Sequence, residues 1–344
     1  MILETKTPED SESFIAEIVG EESRMGQRMS AGRLLHMMDI VAASAAARHA
    51  GCEAVTLAFD RVELLNYICH MDYVRYDASV IQVGRSSMIV RVEGAYKAPD
   101  EMEVHTGHSG VITMVAIDAD GRPNRNIPRL EYRTPRDLAQ KAMAESRERL
   151  LANRRRTTAA VDGMAVIPED HLADHYPRTA HIPPEKTELV IRKNFLPRNT
   201  NILGNVFGGD TIEMMEELAL ATARQFTGNF RMVTIAMEDV LFLRPLHLDH
   251  IVEMRGRVIF VANTTLVVEI AVMAVSFQNE KASHVTNSGL FTVLNYDRVG
   301  RKKGIATGLD MSRSDLDLRR SYLKEQIKYE RRTGRGPDPA AVQG

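Results

Sequence analysis

Apolar residues in this chain recur with two periods, and the order in which the two alternate is itself repeated. Between Gly32 and Ala50, the positions Leu34, Leu35, Met37, Met38, Ile40 and Val41 fall around much of a helical circumference. That pattern predicts a helix buried on nearly every side. The runs VTLAFDRVELL, YVRYDASVIQV, MIVRVEGAYK and GVITMVAID follow it. They are rich in β-branched and aromatic residues and read as strands. Later in the chain a second Gly-led helical segment precedes VTIAMEDVLFL, IVEMRGRVIFV, TLVVEIAVMAVSF and GLFTVLNY. Each half therefore reads as a weak first strand, an apolar helix and four strands.

Sliding the chain against itself makes the repeat explicit. At an offset of 177, Gly32, Met38, Ala42 and Ala46 meet Gly209, Met215, Ala219 and Ala223. At 178, Val55, Thr56, Val62, Val74, Val80 and Val83 meet Val233, Thr234, Val240, Val252, Val258 and Val261. At 179, Ser109, Gly110, Thr113, Asp118 and Gly121 meet Ser288, Gly289, Thr292, Asp297 and Gly300. The shared order of elements carries more weight than the identities.

The repeats divide the chain into a first domain over 10–121, a charged crossover helix and linker over 122–186, a second domain over 187–303, and a C-terminal helix and tail over 304–344. In the crossover, Thr134, Pro135 and Asp137 form a helix-start pattern, and the charged helix is expected to continue to Arg156. A similar tail helix is expected from Ser312, with Asp315 three residues on, to about Gly334, and the last ten residues are expected to be disordered. The class is α+β: two antiparallel sheets, each wrapped around a central helix.

Composition adds limits. The 344 residues exceed what one core usually organises, which fits two domains. A formal net charge of -2 offers no broad positive field for nucleic acid, so no nucleic-acid partner is expected. Cys52 and Cys69 are too few for a disulfide framework and point to a reducing compartment. The start MILETKTPEDSESF lacks the features of a secretory signal. No apolar stretch approaches the roughly 20 residues that span a bilayer. The expectation is a cytoplasmic protein without a membrane partner.

The most specific signature lies before the second helix. Asn201 opens a run that continues through Gly204, Asn205, Phe207, Gly208 and Gly209, and Glu216 follows seven residues after Gly209. In the first half, Ala31-Gly32 precedes Asp39 at the same spacing. The pattern resembles the hotdog acyl-CoA thioesterases, and the crossover, the NRNIPRL segment and the tail make the chain most similar to their two-domain, mitochondrial-type members and bacterial relatives. The resemblance implies two tandem hotdog domains and one composite active site, with Asn201 and Gly208 from the second half facing Asp39 from the first. It implies Phe207, Gly209 and the turn Gly84, Arg85, Ser86 and Ser87 as substrate-binding, with Arg85 directed at a CoA phosphate. It also implies acyl-CoA as substrate, no cofactor beyond the CoA of that substrate, no metal, and association of the fused chains, as trimers.

The chemistry asks for few groups, because a thioester is already activated. Asp39 would take a proton from water or attack directly. The Gly208 N–H at a helix N-terminus would hold the carbonyl oxygen as charge develops. Asn201 would orient the water or the carboxylate. The complementary site holds Glu216, with Arg24 where the second Asn would stand, and these two are expected to form an ion pair in a site without chemistry. Taken alone, the Gly208-Gly209 pair reads equally as a tight turn, Asn201 as a turn residue and 84–87 as a hairpin. Arg301, Lys302 and Lys303 read as a solvated strand end. His171 and His175 sit in a Pro-flanked linker and are assigned no metal. A hydratase would want a His near the helix acid, where Ser44 stands. The other reading kept open is an acyl-CoA sensor that binds without cleaving.

Overall fold

The computed structural model describes residues 4–20, 23–24, 28–64, 66–172, 174, 176–201, 204–276 and 283–334, with the backbone alone at 23, 24 and 28. The expected disorder of the last ten residues, the side chain of Arg24 and His175 lie outside the described residues.

The two repeats fold as two similar units. In the first, strand β1 (Ser13–Ile18) precedes helix α1 (Ala31–Ala50), followed by β2 (Ala54–Phe59), β3 (Tyr73–Val83), β4 (Ser87–Lys97) and β5 (His105–Ala116). The crossover helix α2 (Pro135–Asp162) leads to the second unit: β6 (Leu189–Lys193), α3 (Gly208–Thr227), β7 (Met232–Phe242), β8 (His250–Val261), β9 (Thr265–Ser276) and β10 (His284–Asn295). Helix α4 (Leu316–Thr333) closes the fold.

The strand order is β1-β3-β4-β5-β2 in one unit and β6-β8-β9-β10-β7 in the other. Strands β2 and β7 pair antiparallel, Phe59 with Val240 and Ala58 with Leu241, so the two sheets join edge to edge into one sheet of 11 strands among the described residues. The short segment Val62–Glu63 is the eleventh strand, bridging β7 and β5. The expected first run, VTLAFDRVELL, is thus broken between Phe59 and Val62, where Asp60 accepts an ion pair from Arg147 of α2. The rest of the strand reading and the hotdog arrangement are as expected.

Helix α1 packs on β3, β4 and β5, α3 packs on β8, β9 and β10, and the two helices pack on each other. Thirteen of the 20 residues of α1 are buried, as its nearly all-round apolar pattern requires. The helices meet through glycine. A Cβ on Gly32 would stand 2.9 Å from Glu213 Cα, and one on Gly209 would stand 2.9 Å from His36 Cγ. Gly32→Ala is therefore expected to push α3 away from α1 and to cost about 1–3 kcal/mol, read as a lower denaturation midpoint at unchanged m-value.

Two helix boundaries differ from expectation. Helix α2 has the predicted capping box of Thr134 and Asp137 but runs past Arg156 to Asp162, where Val161 is buried. Helix α4 is capped by Asp315, whose side chain accepts the Leu318 N–H at 2.8 Å, not by Ser312, which bonds Asp310 in the preceding turn. Both helices are tied to the middle of the sheet. The mostly buried Glu238 on β7 meets Arg154 of α2 at 3.1 Å and Lys328 of α4 at 3.4 Å. No described helix is long and apolar enough to cross a membrane.

Candidate active site

The seam between the units brings α1 of one half to the start of α3 of the other. Asp39, on the third turn of α1, is fully buried. Its Oδ1 accepts a 2.6 Å hydrogen bond from Thr56 Oγ1 on β2. Its Oδ2 lies beside Gly208, where a Cβ would stand only 2.8 Å away, and has no hydrogen-bond partner of normal geometry among the described residues. The Gly209 N–H faces the carboxylate and favours its charged form without completing a hydrogen bond.

Burial is the largest influence on Asp39, and it raises the carboxyl's pKa to about 6. The Thr56 hydroxyl and the Gly209 N–H pull it back, while the nearby Asp210 carboxylate pushes it up. Asp39 thus titrates close to neutrality, the range in which a base is both largely ionised and still able to take a proton.

Helix α3 starts without a capping side chain, because its N-cap is Phe207. The N–H groups of its first turn are left for another acceptor. A short loop delivers the chain to that point. The Asn201 N–H donates to Asn205 O at 2.8 Å, the Asn205 N–H donates back to Asn201 Oδ1 at 3.1 Å, and the Gly204 N–H donates to Asn201 O at 2.9 Å. Gly204 turns the loop at φ 76°, a left-handed value that glycine adopts without strain.

Beside Asp39 opens a cleft of about 790 Å³. Asn201, Asn205, Phe207 and Gly208 line it from the second half, and Ala43, Val55, Thr56 and Leu57 from the first. Phe242, Leu243 and Leu246 add apolar surface, with Arg244, Glu53 and Asp120 among the polar groups. Asn201, Phe207 and Gly208 thus line one cleft, and Asp39 and Gly209 lie directly behind Gly208. Gly84, Arg85, Ser86 and Ser87 are not part of that cleft. They form the turn between β3 and β4, where Gly84 and Arg85 line a separate groove with Arg125 and Arg129. Arg301 ion-pairs with Asp297 at 3.1 Å in a surface turn.

The complementary site repeats part of this arrangement. Glu216 on α3 is 1% exposed, accepts a 2.6 Å hydrogen bond from Thr234 Oγ1, and has its pKa raised by burial to about 7. The Gly32 N–H favours its charged form, as Gly209 does for Asp39. Two features differ. The residue opposite Gly208 is the buried Ala31, and α1 is capped by its own Ser30, which accepts the Arg33 N–H at 3.2 Å. The expected Arg24 and Glu216 pair falls on a side chain outside the described residues.

Thr56 appears in the sequence only as a repeat identity, with no role at the site. Its signal lay in the repeat, where Thr56 and Thr234 are the polar identity among matched valines in the strand-like runs.

The thioesterase superfamily profile matches the chain twice, over residues 26–99 and 203–276. The two matches are offset by 177 residues, the offset that aligns the two helices. An uncharacterized acyl-CoA thioester hydrolase of Zymomonas mobilis is 39% identical over 114 residues, which are 33% of this chain and 76% of that protein. The human mitochondrial acyl-coenzyme A thioesterase 9 is 31% identical over 103 residues, 30% of this chain and 23% of that one. Among solved structures, an acyl-CoA hydrolase from Staphylococcus aureus in complex with coenzyme A has 26% identity and a TM-score of 0.42, covering 48% of this chain and 99% of its own. The chain belongs to the hotdog thioesterase superfamily and carries its domain twice.

Proposed function

We propose that the protein is an acyl-CoA thioesterase that hydrolyses fatty acyl-CoA to the free acid and CoA at one composite site between its halves. The observation that carries the reading is the approach of Asp39 to the uncapped start of α3, where Gly208 places no side chain between the buried Oδ2 and the cleft that it lines. In this reading the thioester carbonyl oxygen lies against the first-turn N–H groups of α3, which stabilise the negative charge of the tetrahedral intermediate. Asp39, ionised, takes the proton from the attacking water or attacks the carbonyl itself. Collapse of the intermediate expels the CoA thiolate, leaving the free acid when water has attacked, or an Asp39–acyl anhydride that a water then hydrolyses to the free acid when Asp39 has attacked. Thr56 holds the carboxylate in position, Asn201 orients the water, and Phe207 walls the reacting end of the cleft.

The acyl chain lies along the apolar side formed by Val55, Leu57, Phe242 and Leu243. Arg85, with Arg125 and Arg129 beside it, supplies charge to a CoA phosphate. No further cofactor enters the scheme, and trimers of the fused chain complete the proposed assembly. The reading of a sensor that does not cleave is disfavoured by the orphaned Oδ2 and uncapped helix start, which mere binding does not require.

The direct test incubates the purified chain with acyl-CoAs of graded length and a thiol reagent. Free CoA should appear with some of them, and Asp39→Ala should abolish its release. Binding without release at any length would leave the sensor as the correct reading. Thr56→Val removes a hydrogen bond that lowers the pKa of Asp39. The acid limb of its kcat/KM profile should therefore move to higher pH, and activity at pH 7 should fall about 10-fold.

A further inference from the structure

One cluster at the seam is assigned no step in the hydrolysis. His36 lies one turn before Asp39 on α1, and Asp210 and Glu213 lie on the first turns of α3. The ligand-capable atoms of the three lie within 4.8 Å of one another. The His36 Nδ1 is 3.7 Å from Asp210 Oδ1 and 3.9 Å from Glu213 Oε2. Both separations exceed a hydrogen bond, and among the described residues the buried Nδ1 has no hydrogen bond of normal geometry, although the Gly209 backbone lies close to the ring. An orphaned ring nitrogen flanked by two carboxylates costs stability that a pair of ordinary ion pairs would not leave unrecovered.

We propose that His36, Asp210 and Glu213 form a divalent-cation site of the zinc class that staples α1 to α3 across the seam. Zinc bonds to imidazole nitrogen and carboxylate oxygen at about 2.0–2.2 Å, which sets tetrahedral donors roughly 3.4 Å apart. The two His36 separations need to close by only a few tenths of an ångström, and the Asp210–Glu213 separation, within 4.8 Å, by no more than about 1.4 Å. One nitrogen and two oxygen donors suit zinc, cobalt or manganese better than magnesium. The donors come from both halves, Asp210 and Glu213 sitting three residues apart on one helical face, so a bound ion would fix the crossing that sets Gly209 against Asp39.

The test titrates the full chain, stripped of metal with a chelator, with zinc chloride and separately with magnesium chloride, followed by calorimetry and thermal melting. One saturable zinc site per chain and a higher Tm are expected, with no comparable response to magnesium. His36→Ala should weaken zinc binding at least 10-fold and remove the gain in Tm, and so should the milder Glu213→Gln. Cobalt chloride should give visible absorption bands in the parent chain that both variants lose. No saturable zinc binding, or binding that both variants retain, overturns the site. None of these readouts depends on thioester hydrolysis, so their failure is separable from failure of the proposed activity.

Discussion

Asp39→Asn should lower kcat for thioester hydrolysis by about 100- to 10,000-fold while making the protein more stable. The two effects have one origin. Asp39 is fully buried with one oxygen lacking a hydrogen-bond partner among the described residues, and its pKa is raised to about 6. A carboxyl whose folded pKa stands above its unfolded value of 3.8 stabilises the fold below that value and loses the contribution as pH rises through about 6. At pH 7 the native protein thus carries an ionised group that folding disfavours, at a cost of about 3 kcal/mol. The amide keeps the shape and can still accept from Thr56, but it carries no charge to bury. Denaturant unfolding should show the variant more stable above pH 6, with the difference shrinking toward pH 4. The parent enzyme's kcat/KM should rise with pH through about 6 and level off above it, since the ionised form is the active one. A variant that kept full activity would remove Asp39 from the chemistry, and one that lost stability at pH 7 would remove the account of its burial.

That pairing of residues was legible in the sequence for a physical reason. The helix period around Leu34 to Val41 and the alternation of the strand runs are local properties, and they survive into α1, β3, β4 and β7 to β10 nearly unchanged. The repeat then supplied the long-range information, because a unit that appears twice and buries its helix must pair with its copy. The edge-to-edge joining of β2 and β7 follows that logic, although its register rests on Phe59 and Val240, which no local pattern singles out. The roles of single polar atoms were less accessible. Thr56 reads as one residue of a strand until the fold puts its hydroxyl 2.6 Å from Asp39. The turn from Gly84 to Ser87 reads as part of the site through resemblance, whereas the chain folds it into a groove of its own. Asp315 displaces Ser312 as the cap of α4 because a cap is decided by which oxygen reaches the third N–H, at 2.8 Å here.

The second large effect separates the two halves. Gly208→Ala should reduce kcat about 100-fold, whereas Glu216→Gln should change it less than about 3-fold. At position 208 a methyl group would stand 2.8 Å from Asp39 Oδ2 and 3.2 Å from the Phe242 ring, so the carboxylate or the start of α3 must move off the line of attack. In the complementary site that methyl is already present as Ala31, and the helix start there is occupied by the Ser30 hydroxyl. Glu216 keeps its threonine partner and its burial but faces a filled and capped helix start. Its loss should therefore show as stability rather than as rate. With a pKa raised to about 7 from 4.5, the neutral glutamine should stabilise the fold increasingly as pH rises through 7. Equal losses of activity in Gly208→Ala and Glu216→Gln would mean that both acids work, and the two halves would then hold two active sites instead of one.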